Sequence, residues 1–193
     1  MPNWCSTTYI VTGKTKDLNT LYKAIKACEE SKTPRVENGF GKLWLGCIID
    51  CLGGDWEKYR CRGEIIDFSQ KDSELIIEQW TAWCEQEGFR EFIEEKFPTA
   101  KVYFRDEEPG LENYTTNSFE DFSERYFLDA SEESMYFETI EEASRHVEKL
   151  VGHKVEADIH SIQQALSDYE DEHKEDNYSY YGFHEFKLVD DQY

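Results

Sequence analysis

Apolar positions recur along the first half of the chain with clear periods. Residues 7–12 (TTYIVT) are β-branched or aromatic and end at Gly13, which predicts a strand. Between residues 17 and 30 the apolar positions are Leu18, Leu21, Tyr22, Ile25 and Cys28, the spacing of an amphipathic helix. Residues 31–39 are rich in breakers and predict a loop. Residues 40–52 place Leu43, Trp44, Cys47 and Cys51 at helical spacing, so a short helix is expected there, stopped by Gly53 and Gly54. Two strand-like runs, 62–68 and 74–83, flank Gln70, Lys71, Asp72 and Ser73 and predict an antiparallel hairpin. Residues 85–97 put Phe89, Phe92, Ile93 and Phe97 on one helical face, with Pro98 as the stop. Residues 101–105 (KVYFR) predict a strand.

That order, β-α-insert-β-β-α-β, predicts an α+β fold with a ferredoxin-like (split βαβ) core: an antiparallel sheet with helices on one face. The core is expected over residues 1–111, with an extra helix inserted at about 40–52. Residues 112–193 are expected to form an α+β extension. A helical turn is predicted at 118–124, and a hairpin from 126–129 and 135–138 around Ser131, Glu132 and Glu133. Thr139 and Glu142 form a capping box for a helix that buries Ile140, Ala143, Val147, Leu150 and Val151 and ends at Gly152. A second helix over 156–172 places Ile159, Ile162, Leu166 and Tyr169 on one side. A polar link at 174–177 leads to a closing strand at 178–189, in which Phe183, Glu185 and Lys187 alternate with His184, Phe186 and Leu188.

Charge divides the chain more sharply than hydrophobicity does. The net charge is −21 over 193 residues. Residues 1–105 hold 17 acids and 15 bases, a net −2, whereas residues 106–193 hold 25 acids and 6 bases, a net −19. The acidic half should repel nucleic acid and anionic membrane and attract basic partners. Despite 33% charged residues the chain is 15% aromatic, which argues for a packed core rather than disorder. No apolar run approaches the roughly 20 residues of a membrane span. Residues 1–13 lack the basic start and apolar run of a secretory leader, so a cytoplasmic location and reduced thiols are expected for Cys5, Cys28, Cys47, Cys51, Cys61 and Cys84.

Motifs that carry chemistry are sparse. Cys47, Cys51 and Cys61 lack the tight pairs of a zinc site and read as small buried hydrophobes. His146, His153 and His160 recur every seven residues, but Gly152 interrupts the helix that would align them. No nucleotide-binding loop, nucleophile elbow or calcium loop is present, so no metal or cofactor is expected. Trp80, Trp83, Phe68 and Phe104 could make a base-stacking platform, but without a basic surround they are expected in the core.

Four short motifs occur in sequence: MPNWCS at 1–6, WTAW at 80–83, Phe97-Pro98, and Glu107-Glu108-Pro109-Gly110. Together they make roughly the first 130 residues resemble the YubB-like ferredoxin-like family of bacterial genomes, plasmids and phages. The resemblance implies a ferredoxin-like fold and no established activity, so it carries over no catalytic residues. At the shared positions Pro2 is expected to fix the entry to the first strand, Trp4 to cap the sheet end, and Pro109-Gly110 to turn the chain out of the sheet.

The expectation is therefore a non-enzymatic protein that binds a partner with a basic surface. In a sharper form, the acidic half imitates the phosphate backbone of DNA and occupies a DNA-binding protein. From another class, the chain would be a small-ligand-binding protein or an enzyme with a pocket near Trp4, Trp83, Glu107 and Glu108, all at element ends.

Overall fold

A computed structural model of the chain describes residues 3–131, 134–173 and 180–189. Pro2, Glu132, Glu133, the polar link at 174–177 and the start of the expected closing strand at 178–179 lie outside the described residues. The fold is mixed α+β, and the chain divides into two units, Met1–Asn113 and Tyr114–Tyr193. Among the described residues no helix is long and apolar enough to cross a membrane.

The first unit runs β1 (Trp4–Thr12), α1 (Thr15–Glu30), α2 (Leu45–Cys51), β2 (Gly63–Lys71), β3 (Glu74–Ala82), α3 (Glu87–Lys96) and β4 (Lys101–Glu108). The four strands stand in the order β2-β3-β1-β4, every neighbour antiparallel. Side chains of a strand alternate between faces, and here the alternation is regular. Cys5, Thr7, Tyr9 and Val11 of β1 are buried, as are Leu75, Ile77, Gln79 and Thr81 of β3 and Val102, Phe104, Asp106 and Glu108 of β4. The apolar members meet Leu18, Leu21 and Ile25 of α1, Leu45, Ile48 and Ile49 of α2, and Phe89, Phe92 and Ile93 of α3 in one core.

Three departures from the sequence reading have local causes. Trp80 and Trp83 are not core residues: they are 50% and 38% exposed, while Phe104 is buried and Phe68 packs half-buried against the core. Trp80 lies one residue from Gln79 and Thr81 and therefore on the opposite face, opposite Ser6 in register. The helix expected from residue 40 starts only at Leu45, because Leu43 and Trp44 join the sheet edge instead. The Leu43 carbonyl accepts from the Ile65 N–H at 3.0 Å, and Trp44 bridges Glu64. Its indole fits over Gly46, where a Cβ would fall 2.3 Å from the ring. Finally, β4 extends to Glu108 beyond the expected end at residue 105, carrying acids into the sheet.

The second unit contains β5 (Asn113–Thr116, whose first residue closes the first unit), β6 (Tyr126–Ala130), β7 (Met135–Phe137), α4 (Ile140–Val151), α5 (Ile159–Glu172), β8 (Tyr181–Glu185) and β9 (Lys187–Leu188). A three-stranded antiparallel sheet, β7-β6-β8, packs Leu128, Phe137 and Phe183 against Val147, Ile162 and Leu166 of the two helices. Thr139 caps α4 by accepting from the Glu142 N–H at 3.3 Å, and Gly152, at φ +77°, ends it. Asp158 caps α5, which is why that helix begins after the expected residue 156. The helical turn expected at 118–124 is a hydroxyl-held turn: Ser118 Oγ accepts from the N–H groups of Glu120 and Asp121. The closing strand is split. Phe183 and Phe186, three apart, are both buried, which strict alternation forbids, and the break at Phe186 lets β8 pair with β6 and β9 with β5.

The burial difference between the two faces is measurable. Phe89→Ala should cost about 3–5 kcal/mol in urea unfolding, the range for emptying a buried aromatic site. Trp80→Ala should cost no more than about 1 kcal/mol, because the residue is half in water.

Candidate functional site

The structure sends the four residues Trp4, Trp83, Glu107 and Glu108 to different partners. Trp4 opens β1, is 43% exposed, and stands edge-on to Phe40 at 6.0 Å. Trp83 follows β3 at φ +68°, an uncommon conformation for a bulky residue. Its N–H donates to the Asn3 carbonyl at 2.9 Å, and the Arg62 guanidinium lies 4.8 Å from its ring. The backbone thus brings Trp4 and Trp83 to neighbouring positions. Glu107 lies opposite Ser6 on the face turned away from the helices and, itself largely covered, pairs with Arg105 at 3.1 Å. Glu108, one residue on, points to the covered side. Its carboxylate accepts from the N–H groups of Gly110 at 3.0 Å and Leu111 at 2.6 Å, closing the turn that Pro109 starts.

A larger polar assembly lies on the covered face. One row of the sheet, Gln79, Thr7 and Asp106, points toward the helices. Asp106 Oδ1 accepts from Cys5 Sγ and Thr7 Oγ1, both at 2.7 Å. Its Oδ2 accepts from the Glu85 N–H at 2.8 Å and from Asn113 Nδ2 at 3.1 Å. Thr7 and Thr81 share a 2.9 Å hydroxyl contact. Beside them the Tyr9 hydroxyl donates to Glu85, whose carboxylate also receives Arg90 Nε at 3.2 Å. Gln86, at the entry to α3, accepts from the Arg62 N–H at 2.8 Å. The Gln79 carboxamide is buried, and neither atom is hydrogen-bonded among the described residues.

Burial sets the electrostatics of this assembly. It pushes the Glu85 carboxyl up to about 7, against the opposing pull of Arg90 and the Tyr9 hydrogen bond. It also raises Asp106, against the donors that ring that carboxylate. Tyr9 and Cys5 are raised well above their ordinary values by burial first, and then by Glu85 and Asp106 respectively. Solvent reaches little of any of these groups. Sequence reading missed the assembly, although the run Val102, Phe104, Asp106, Glu108 has the two-residue period of a buried strand face.

The second unit presents the opposite situation, charge without cover. Residues 114–193 hold 21 acids and 6 bases. Glu138, Glu141 and Glu142 are exposed around the start of α4, where the helix dipole favours them. The last turns of α5 hold Asp168, Glu170, Asp171 and Glu172 with no basic residue, at the end where the dipole disfavours acids. The concavities of this unit are shallow and open. One of them, about 500 Å³, is lined by Phe137, Glu142, Arg145, His146, Glu148 and Lys149.

His146 packs on Phe137, whereas His153 and His160 are exposed. Cys5, Cys28, Cys47 and Cys61 are buried, and Cys51 and Cys84 are half-buried. Among the described residues no group of three or more His, Cys, Asp or Glu is placed to hold a metal ion.

The Glu85 shift has a definite sign. A carboxyl whose folded pKa of about 7 exceeds its ordinary 4.5 binds its proton more tightly in the fold. Its contribution is complete below 4.5 and is lost as pH rises through 7. Urea unfolding at pH 5 and pH 8 should show the chain losing on the order of 2–3 kcal/mol from this group. Glu85→Gln should lose clearly less over the same interval, with Asp106 still contributing in the same direction. No family model matches the chain, and no curated protein or solved structure matches it either.

Proposed function

We propose that this chain is a non-enzymatic binding protein whose acidic second unit engages a protein partner with a basic surface. In this reading the first unit is a ferredoxin-like scaffold of the YubB-like kind, from a bacterial or mobile-element setting. The strand order β2-β3-β1-β4, with α1 between β1 and β2 and α3 between β3 and β4, supports the scaffold assignment.

The observation that carries the reading is the end of α5. Four acids in its last five residues repel one another and face the negative end of the helix dipole. Each such placement costs about 0.3–1 kcal/mol, a cost that a cationic partner would reverse. A surface serving solubility alone gains nothing from acids at that end, since the same charge is tolerated better at an N-terminus.

The test couples two readouts. A variant with Asp168→Asn, Glu170→Gln, Asp171→Asn and Glu172→Gln should unfold at a higher urea concentration than the natural chain. It should also lose a basic protein that the natural chain retains from a lysate at low salt and releases at high salt. Retention unchanged by the four substitutions, or no basic protein retained at low salt, would overturn the proposal.

A further inference from the structure

The face of the first sheet turned away from α1, α2 and α3 is not uniform. Across its four strands the residues fall in rows set by register. One row reads Glu64, Trp80, Ser6, Glu107, and the next reads Asp67, Glu78, Thr8, Arg105. Directly opposite residues on an antiparallel pair stand about 5 Å apart at Cβ, and residues two apart on one strand share a face. Trp80 is therefore flanked by Glu64 on the neighbouring strand, by Glu78 on its own strand, and by Asp67 diagonally. The bulge between Ile65 and Asp67 adds Ile66, 45% exposed, at the same edge.

Three further observations bear on what this surface accepts. Half of the Trp80 side chain is in water, although tryptophan is costly to leave there. Among the described residues none of Glu64, Asp67 and Glu78 makes an ion pair, whereas Glu107 on the far side of Ser6 is already paired with Arg105. The protein holds guanidinium groups over other aromatic rings, Arg62 over Trp83 at 4.8 Å and Arg125 over Phe119 at 3.8 Å. No such cation lies over Trp80 among the described residues.

We infer, on the reading of this chain as a binder of a basic protein, that the Trp80 surface is a docking site for an arginine-bearing segment of that partner. A guanidinium stacks on the exposed indole while Glu64, Glu78 and Asp67 receive its N–H groups, the combination of flat face and carboxylate fork that suits arginine better than lysine. Ile66 takes the aliphatic stem of the same side chain or its neighbour. Partial burial also pushes the Glu64 carboxyl up from its ordinary value, and a cation beside it relieves that penalty. A nucleic-acid strand is the wrong occupant for the same indole, because three unpaired carboxylates repel its phosphates.

Calorimetric titration of the full chain with an Arg-Gly repeat peptide, at near-physiological salt, tests this. Trp80→Ala, which leaves the charge unchanged, should weaken binding about five- to tenfold, and Trp80→Phe should restore part of the loss. Glu78→Gln should weaken it too, and the equivalent Lys-Gly peptide should bind less tightly than the arginine form. The four-fold neutralised α5 variant separates this surface from the acidic unit. If that variant loses the peptide while Trp80→Ala and Glu78→Gln do not, the Trp80 site is overturned and the acidic-unit reading stands. If Trp80→Ala weakens binding and the α5 variant does not, the site is upheld independently of the second unit. If none of these variants changes the affinity, the site is overturned, and the acidic-unit reading gains nothing from the peptide.

Discussion

A β-strand sends alternate side chains to opposite faces, and in the first unit three helices cover only one of them. Much of what distinguishes that unit follows from this division. On the covered face the described positions are apolar or, Gln79 apart, hydrogen-bonded: Thr7 and Asp106 are fastened into one network while Tyr9 and Glu85 form a second pair. On the other face Trp80 and Glu78 stand in water, while Arg105 and Glu107 of β4 are largely covered and pair with each other. The consecutive residues Glu107 and Glu108 show the rule within a single dipeptide. One pairs with Arg105 on the side away from the helices, and the other closes a turn from the helix-covered side.

The covered face carries an unusual polar load for a sheet of this size. A carboxylate taken out of water is tolerated only where donors replace the lost hydration. Asp106 has four donors on its two oxygens, whereas Glu85 leans on Arg90 and the Tyr9 hydroxyl, and burial still pushes it to about 7. Among the described residues Gln79 has no replacement partner. An apolar row in these positions would pack the same helices at lower cost. The row therefore fixes which strands and which register can assemble, because a one-residue slip would strand every one of these groups.

Much of this architecture was legible in the sequence, and the illegible parts share a cause. Helices α1 and α3 were readable because Leu18, Leu21, Ile25 and Phe89, Phe92, Ile93 repeat at helical spacing, and the Asp72-Ser73 turn was readable from its breakers. The end of β4 was not, because Asp106, Glu107 and Glu108 look like a solvated turn until neighbouring strands are known to hold their donors. Trp80 was misplaced because a large aromatic ring suggests a core, while the strand's own two-residue period already put it on the side away from Ile77 and Thr81. The split at Phe186 was hidden by a run that alternates plausibly throughout. Of the candidate site, the acid excess at the end of α5 could be counted directly, whereas the buried network and the carboxylates around Trp80 exist only through register.

The two units handle negative charge in different ways, and the difference bears on binding. In residues 1–113, 21 acids face 15 bases, and several acids are placed beside cations: Glu85 with Arg90, Asp50 with Arg35, Glu107 with Arg105. In residues 114–193 the same number of acids has only 6 bases to share. Self-repulsion there is built in, and it must be offset by the core that Leu128, Val147, Ile162, Leu166 and Phe183 form. A repulsion of that kind is latent binding energy toward any cationic surface. Its range is the Debye length, so it accelerates encounter and weakens as salt rises. It is also indiscriminate, because charge alone does not select one basic protein over another. Selectivity requires shape and contact of the kind an indole framed by carboxylates on a rigid sheet offers, and a long-range attraction paired with a short-range reader needs both kinds of surface in one chain.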